Sequence, residues 1–255
     1  MDVPDGSIAN QALDPLTPHF KFGQLRFDEN MALSEHIYSL RFKVYCLECG
    51  FLEPENYENG LESDEFDEHS IHFTACNLEN ELVGSMRLVL GDPGRRFPFE
   101  DRCQVLFDDV VLPPAKESGE VSRLVVSARY RRRAGDSLAG VSQEFLTSSS
   151  HGMPGKPASG ERRSRSPQIL LGLYREMYQY SVRANIRYWY AAMERSLARA
   201  LTRLSFDFTP IGMETDYYGP VIPYVADLRE LERKLKANRP DLLAWFREGP
   251  RMHAV

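Results

Sequence analysis

The sequence predicts a mixed α/β protein in which helices flank one central sheet. Three observations carry this prediction. An opening stretch with helical spacing precedes two consecutive strand-like runs, strand-like and helix-like segments alternate further on, and the pattern shows no internal repeat. The 255 residues, 42% hydrophobic and 27% charged, suit one such domain. We expect a loose leader over residues 1–18 and a single domain over 19–250.

The first two elements are a strand and a helix. Residues 20–28, "FKFGQLRFD", can form the strand. The helix is predicted to begin at Ser34, a residue type that commonly caps helix N-termini, and to end at Gly50. Its apolar residues recur at helical spacing, which predicts a buried face of Ile37, Leu40, Val44 and Leu47.

The centre of the sheet is predicted from two further runs. "IHFTACNLE" and "ELVGSMRLVL" read as a hairpin that turns at Glu79–Asn80–Glu81. "GEVSRLVVSARY" is rich in valine and reads as a buried strand. The stretch between them, "RCQVLFDDVVLP", favours no element.

Residues 134–166 are crowded with Gly, Ser and Pro, which predicts a flexible insertion. Regular structure resumes with the helix "QILLGLYREMYQYSVRAN", the strand "IRYWYAAM" and the helix "ERSLARALTRLSF". A strand pair follows around "FTPIGMETDYYGPVIPYVADL", and a closing amphipathic helix is predicted from about Asp227 to Phe246.

Composition excludes several classes of protein. The net charge of -6 gives no whole-molecule attraction to nucleic acid or to an anionic membrane. The N-terminus lacks the pattern of a signal peptide, and no run is long and apolar enough to span a bilayer, so we expect a cytoplasmic protein. Any membrane association would be weak and due to a lipid product. The four cysteines are too scattered for a disulfide framework, and they read as half-buried thiols.

The acidic stretch "ESDEFDEHSIHF", residues 62–73, has three possible readings: a solvated loop, a metal site or half of an active centre. A metal is not predicted. On a strand, His69 and His72 are three positions apart and face opposite sides. A calcium loop beginning at Asp64 would place Phe66 at its third ligand position.

Three arginines lie where a buried charge is costly: Arg41 in the first helix, and Arg87 and Arg123 within strand-like runs. Strand alternation predicts that Glu120 and Ser122 share one face while Arg123 points to the other. A buried network would need carboxylates to pair with the arginines, and the alternative is that each charge lies on a solvated face. The available carboxylates are Glu62, Asp64, Asp67 and Glu120.

The order of these residues resembles a known family. "SEHIYSLRFKVY", the acids of residues 62–67, "GSMRLVL" and "EVSRLVV" occur in the order found in acyl-homoserine-lactone autoinducer synthases and N-acyl amino acid synthases, which are variants of the GNAT acyltransferase fold. Residues 34–133 resemble more closely the acyltransferases associated with bacterial PEP-CTERM/exosortase systems.

The resemblance implies a GNAT-like fold and direct transfer of a fatty acyl group to the amino group of an amino acid or similar amine. The co-substrate would be an acyl-phosphopantetheine thioester, on acyl carrier protein or coenzyme A, with no permanently bound cofactor. Two departures stand out. Phe51 replaces the tryptophan usual in autoinducer synthases, and the phosphate loop is only approximated by "RRAGDS", residues 132–137. The alternatives are an autoinducer synthase that uses S-adenosylmethionine and a non-catalytic acyl-carrier or lipid-binding module.

Site residues follow from the resemblance and from the chemistry of amide formation. Glu120 is the first candidate for the base and Glu62 the second. Ser122 is not expected to act as a nucleophile, because direct transfer needs no acyl-enzyme. The predicted catalytic set is Glu120, Glu62, Asp64, Arg87 and Arg123. The predicted substrate-binding set is Arg41, Asp67 and Ser122, with backbone N–H groups of Val125 and Val126 facing the thioester oxygen.

A basic run follows the valine-rich strand and has two readings. It can dock an acidic acyl carrier protein, or it can be a solvated turn. A nucleic-acid partner is not predicted, since no binding motif accompanies the run. Its members are Arg129, Arg131, Arg132 and Arg133. The aromatic residues of "LYREMYQY" and "RYWYAAM" fit either core positions or the lining of an acyl channel.

Overall fold

The computed structural model describes residues 16–27, 29–103, 105–131 and 166–248. Eight strands form one sheet in the order β1-β2-β3-β4-β5-β8-β6, and β7 pairs with β8. All pairs are antiparallel except β4 with β5, which run parallel. The strands are β1 (Phe20–Arg26), β2 (Ser70–Asn77), β3 (Leu82–Leu90), β4 (Ser118–Val126), β5 (Tyr188–Met193), β6 (Thr209–Pro210), β7 (Thr215–Asp216) and β8 (Pro220–Asp227).

Six α-helices accompany the sheet within the described residues, and this confirms the predicted mixed α/β class. A π-helix, Lys43–Glu48, continues the first of them. None of the helices in the described ranges is long and apolar enough to cross a membrane. The helices are α1 (Met31–Phe42), α2 (Pro98–Arg102), α3 (Ser166–Arg183), α4 (Arg195–Arg203), α5 (Leu228–Asn238) and α6 (Pro240–Arg247).

The two faces of the sheet differ in chemistry. On one face, α3 packs on β1, β2 and β3 over the main hydrophobic core, which includes Phe73, Leu88 and Trp189. Gly172 permits the close approach of α3, because a Cβ there would lie only 2.0 Å from the ring of Phe22. On the other face, α1 contacts β3 and β4, and buried polar side chains replace much of the apolar packing. The polar face carries the candidate site.

The first helix begins earlier than the sequence predicted. Asn30 is its N-cap, and the Asn30 Oδ1 accepts a hydrogen bond from the Leu33 N–H at 3.0 Å, so the assignment of Ser34 as the cap was wrong. The wider π-helical turn then rotates the chain, which buries Cys46 and leaves Leu47 61% exposed. The predicted buried face therefore holds as far as Val44 and fails at Leu47.

The hairpin and the valine-rich strand are confirmed as β2–β3 and β4. Asn80 takes the left-handed conformation in the hairpin turn, with φ of 63°. The undecided stretch after α2 has an isolated bridge between Leu106 and Gly212. The predicted insertion lies outside the described residues up to residue 165, as does the leader up to residue 15.

The single closing helix was a wrong prediction, because α5 ends at Asn238 and α6 begins at Pro240. Proline disfavours a helical conformation of the preceding residue, and Arg239 lies outside the helical region at φ -145° and ψ 63°. The break allows Leu235 and Phe246 both to pack into the main core.

Strand β4 contains a bulge that redirects Arg123. Arg87 pairs with Ser122 and Ser85 with Val125, so two residues of β4 lie opposite one residue of β3. Arg123 takes a positive φ of 51°, a conformation that costs a residue with a side chain about 1–2 kcal/mol. Simple alternation predicted that Arg123 faces away from Ser122. The bulge overturns that prediction and brings both side chains toward the polar face.

Candidate active site

Six charged side chains from four parts of the fold close into one ring on the polar face. Arg41 comes from α1, Arg87 from β3 and Arg123 from the bulge of β4, while the loop before β2 supplies the acids. We call this set the ionic ring. In order around the ring, its members are Arg41, Glu62, Arg123, Asp64, Arg87 and Asp67.

Each carboxylate of the ionic ring bridges two arginines. Asp67 accepts from Arg41 Nη1 at 2.7 Å and from Arg87 Nη1 at 2.8 Å. Asp64 pairs with Arg87 and accepts from Arg123 Nη2 at 2.8 Å. Glu62 pairs with Arg41 and lies 3.0 Å from Arg123 Nη2. Three positive and three negative charges therefore cancel within a buried cluster.

The spacing of the acids follows from the shape of their loop. The Asp64 N–H donates to Asp67 Oδ2 at 2.8 Å, and the Phe66 N–H donates to Asp64 Oδ1 at 3.0 Å. A short 3₁₀ turn, Asp67–His69, then leads into β2. Local hydrogen bonds of this kind hold aspartate side chains against their own loop. Glu65 and Glu68 alternate with the ring members and are exposed.

The ring shifts the pKa of its acids downward. Burial alone would raise the pKa of Glu62, but the charges of Arg41 and Arg123 outweigh it and lower that pKa. The same balance, with Arg87 as a partner, lowers the pKa values of Asp64 and Asp67. These carboxylates are therefore ionised at neutral pH and engaged by arginines.

His72 lies beneath the ring on β2. Burial lowers the pKa of His72 to about 4, although the nearby Asp67 acts in the opposite direction. Its Nε2 is 3.7 Å from Asp67 Oδ1, and its ring packs edge-on to Tyr38 at 6.0 Å. The imidazole is therefore neutral at neutral pH. Among the described residues, no group of three or more His, Cys, Asp or Glu could hold a metal ion.

Glu120 is buried on the same strand as Arg123 but outside the ring. Its Oε2 accepts a hydrogen bond from the Phe99 N–H at 2.9 Å, and only 1% of the residue is exposed. Burial raises the pKa of Glu120 to about 8, and the hydrogen bond from Phe99 and then the charges of Arg87 and Arg123 only partly oppose this. The predicted network of all four carboxylates is therefore corrected to three, because Glu120 has no arginine partner in the described part of the chain.

A cleft opens where β4 and β5 separate. The two strands pair over Ser118–Glu120 and Tyr188–Tyr190, and beyond these residues the described strands diverge. The lining includes Tyr174 of α3 from one face of the sheet and Ser122 and Arg123 from the other, so the cleft crosses the sheet. The lining residues are Tyr45, Phe51, Leu52, Glu120, Val121, Ser122, Arg123, Leu124, Tyr174, Ala191, Ala192, Met193, Glu194, Leu197, Tyr217, Tyr218 and Val221.

The cleft gathers some of the predicted site residues and leaves others out. Glu120, Ser122 and Arg123 line it. Val125 and Val126 are fully buried in hydrophobic clusters and lie past the end of the lining at Leu124. The placement of their N–H groups at the thioester stays a prediction, and the β4 residues that line the cleft are 120–124.

Four further predicted site residues lie in the ionic ring or contact it. Arg41 and Asp67 are 0% and 1% exposed, lie in the ring and do not line the cleft, and their contact with substrate stays a prediction. Ser122 Oγ accepts from Arg87 Nε at 3.0 Å, so it links the ring to the cleft wall. Arg87 reaches the cleft only through that contact.

The basic run is only partly described. Arg129 is 71% exposed, with a long contact of 3.5 Å to Glu81, whereas Arg131 is mostly buried and pairs with Glu48. Arg132 and Arg133 lie outside the described residues. The two described arginines therefore do not form one exposed patch.

Sequence reasoning missed several lining residues. Tyr217 and Tyr218 lie in the turn between β7 and β8, where Tyr218 and Gly219 have φ of 57° and 102°. The "YYG" sequence carries a turn signal, but nothing in it places the turn against β4. Glu194 directly follows β5 and was read only as the start of a helix. These residues reach the cleft through long-range pairing of β5 with β8.

Comparison with known proteins agrees with this architecture. Residues 40–140 match the acetyltransferase (GNAT) domain family. That region contains the ionic ring and Glu120. No curated protein matches the chain by sequence.

Solved structures of acyl-homoserine lactone synthases share the fold. TofI, solved with an inhibitor and MTA, is 14% identical to this chain. The superposition covers 87% of this chain and 99% of TofI, at a TM-score of 0.60. The AHL synthase LasI is 14% identical, with 86% and 95% covered and a TM-score of 0.59. BjaI, a CoA-dependent synthase solved with SAM and isopentyl-CoA, is 17% identical, with 89% and 98% covered and a TM-score of 0.56. The predicted GNAT-like fold is confirmed.

Proposed function

We propose that the protein is an N-acyltransferase that moves a fatty acyl group from a thioester of acyl carrier protein or coenzyme A to the amino group of an amino acid or similar amine, by direct transfer. The observation that carries this proposal is Glu120, a buried carboxylate with a raised pKa that lines a cleft opened by strand separation. The match of residues 40–140 to the acetyltransferase (GNAT) domain supports the acyl-transfer chemistry.

Glu120 suits the role of base in this reaction. A reactive amine must lose its ammonium proton, and a base with a pKa near the working pH combines proton affinity with a useful ionised fraction. The pKa of about 8 meets that requirement. Glu62, the second candidate, is engaged by Arg41 and Arg123 and has a lowered pKa, so its contacts do not favour proton transfer.

The open edge of β4 suits the thioester. Over residues 121–124 the strand borders the cleft and not β5, so a backbone N–H group that points to this edge can donate to an oxyanion that forms beside it. The ionic ring anchors Arg123 at the bulge, which fixes this edge. Apolar side chains on both strands offer a dry wall for an acyl chain: Val121, Leu124, Ala191 and Met193.

An acyl-transfer assay tests the proposal. The protein is incubated with acyl-carrier-protein or acyl-coenzyme A thioesters and a panel of amines, and free thiol and product mass are followed. Amine-dependent thiol release with formation of an amide supports the proposal. Tight thioester binding without turnover would instead support the rival reading, a non-catalytic acyl-carrier or lipid-binding module.

A second candidate function is autoinducer synthesis from S-adenosylmethionine. It is favoured by the fold shared with TofI, LasI and BjaI. Phe51, which lines the cleft, replaces the tryptophan usual in that family. Product mass separates an acyl lactone from an acyl amine. The association with PEP-CTERM/exosortase systems, docking of acyl carrier protein and a cytoplasmic location stay predictions.

A further inference from the structure

Glu194 is an acid of the cleft that the proposed mechanism does not use. It lies between the last residue of β5 and the first residue of α4, at the N-cap position of that helix. Its side chain accepts no hydrogen bond from the helix backbone, although the Ser196 hydroxyl donates to its Oε2 at 2.8 Å. Glu194 is exposed and lines the cleft, so its carboxylate is accessible to a ligand there.

The charges of the cleft lining favour a cation. The charged side chains among the described lining residues are Glu120, Arg123 and Glu194. Arg123 is already paired with two acids of the ionic ring, Glu62 and Asp64, so its charge is neutralised within the protein. Among the described lining residues, Glu194 is therefore the exposed charge that the ionic ring does not neutralise.

Aromatic rings line the same cleft as this acid, and we call them the aromatic wall. Tyr45 and Phe51 have ring centroids 6.4 Å apart, and Tyr217 and Tyr218 lie 4.8 Å apart. The guanidinium of Arg123 lies over Tyr45 and Tyr218, at 5.7 and 5.9 Å from their centroids, and that of Arg102 lies over Tyr217 at 5.7 Å, so these rings already hold cations of the protein. Ring faces of this kind attract cations, and the attraction grows in a partly dehydrated cleft.

We propose that the acceptor is a dibasic amine: one amino group reaches Glu120 and is acylated, while the second, still an ammonium, lies between Glu194 and the aromatic wall. This inference rests on the proposed acyl transfer and narrows its acceptor. A carboxylate in place of the second amino group would be repelled by Glu194, and Arg123, the arginine of the cleft lining, is already paired within the ionic ring.

The reaction balances without an oxidant or a further co-reactant. Glu120 takes one proton from the reacting ammonium, and the neutral nitrogen attacks the thioester carbonyl carbon. The C–S bond breaks as the C–N bond forms, and the leaving thiolate takes up a proton. The sum is thioester plus ammonium giving amide, thiol and one released proton, while the second ammonium stays unchanged.

Matched acceptors test the inference. Putrescine carries the second amine, butylamine has the same carbon count without it, and γ-aminobutyrate replaces it by a carboxylate. We expect kcat/KM for putrescine to exceed that for butylamine by about tenfold, with γ-aminobutyrate the poorest, and the putrescine advantage to shrink as salt is raised. Glu194→Gln should lower the putrescine-to-butylamine ratio severalfold.

Glu53→Gln is the control, because Glu53 is an exposed acid next to the lining residue Leu52 but outside the lining. It should keep the wild-type ratio. Equal kcat/KM values for putrescine and butylamine, or a ratio that Glu194→Gln leaves unchanged, would overturn the inference while leaving the proposed acyl transfer intact. A preference for S-adenosylmethionine over every dibasic amine would also overturn it. Thiol release with none of the amines would overturn the proposed function itself.

Discussion

The ionic ring and Glu120 are two solutions to the burial of charge on one strand. Arg123 and Glu120 are three residues apart on β4, and both are largely removed from water. In the ring, every charge has two opposite neighbours, and the pKa values of the acids fall. Glu120 receives one backbone N–H, and its pKa rises to about 8.

The difference teaches how to separate structural from reactive charge in this fold. A carboxylate held by two arginines gives up its ability to take a proton, because protonation would leave the arginines unpaired. A carboxylate that is buried with a single neutral donor keeps that ability. The ring would therefore carry stability, and Glu120 would carry chemistry. The following predictions break or sharpen this comparison.

The largest expected effect is on rate. Glu120→Gln should lower kcat/KM for amine acylation by about 10²–10⁴-fold, since general-base catalysis commonly contributes that much. Glu117→Gln, which changes an exposed acid just before β4, is the matched control and should leave the rate within about twofold. An unchanged rate in Glu120→Gln, measured by thiol release, would remove Glu120 as the base.

The second effect is on stability. Arg87→Met should lower the free energy of unfolding by about 3–5 kcal/mol, because it leaves Asp64 and Asp67 each short of one buried partner. Arg195→Met is the control: it breaks an exposed pair with Glu214 and should cost less than about 1 kcal/mol. Urea unfolding measures the stability of both variants. If Arg87→Met is as stable as Arg195→Met, the ionic ring does not stabilise the fold.

The two regions should also respond to pH in opposite directions. The lowered pKa values of the ring acids stabilise the fold above about pH 4 and lose this effect in acid. Because the pKa of Glu120 is raised, the contribution of Glu120 to the free energy of unfolding is complete below about pH 4.5 and is lost as pH rises through about 8. Between pH 5 and 9, the free energy of unfolding of the wild type should fall by a few kcal/mol, on the order expected for such a pKa shift. That of Glu120→Gln should not fall by this amount.

Equal slopes of unfolding free energy against pH in wild type and Glu120→Gln would show that Glu120 titrates normally. Urea titrations at fixed ionic strength make this measurement, so that salt does not change between pH values.

A smaller effect concerns the pH dependence of the rate. With a pKa of about 8, roughly a tenth of Glu120 is ionised at pH 7, so kcat/KM should rise about tenfold from pH 7 to a plateau near pH 9. The profile should be recorded with acceptors of different amine pKa. A rise that follows the pKa of the acceptor alone would assign the titration to the amine and not to Glu120.

The smallest effect is expected at the junction of the two regions. Ser122→Ala removes the hydroxyl that accepts from Arg87 Nε and should cost about 1–3 kcal/mol, as for a hydrogen bond to a charged group. Its kcat/KM should stay within a few fold of wild type, because direct transfer forms no acyl-enzyme. A loss of rate as large as that of Glu120→Gln would contradict direct transfer and reopen a nucleophilic serine.

The sequence predicted the sheet, its hairpin and the pairing of arginines with acids, because these depend on local pattern and on the cost of unpaired charge. It did not predict where Arg123 points, since a bulge is a property of two strands in register. The π-helical turn that exposes Leu47 likewise depends on tertiary packing. The break at Pro240 follows a local rule, because proline disfavours a helical conformation of the residue before it.

The separation of Glu120 from the other acids could not be read from sequence spacing. Its single donor, Phe99, lies in a helix 21 residues away in sequence, and the residue pattern of β4 does not indicate that contact. The cleft wall formed by Tyr217, Tyr218 and Glu194 depends on which strands become neighbours. Local patterns therefore indicated the residue types of the site, and strand order decided which of them meet.

The closure of the ionic ring has a consequence for connectivity. In a linear row of six alternating charges, the anion at one end and the cation at the other would each have a single partner. Each could then pair with a solvent ion or with substrate. A closed cycle has no ends, so a substrate or an ion can bind a ring member only if two ion pairs of that member break. Dissolved salt should therefore weaken exposed contacts such as Arg195–Glu214 while leaving the cycle almost unaffected. The ionic ring therefore has no net charge, and it lies beside a cleft in which one carboxylate, Glu120, can change its charge.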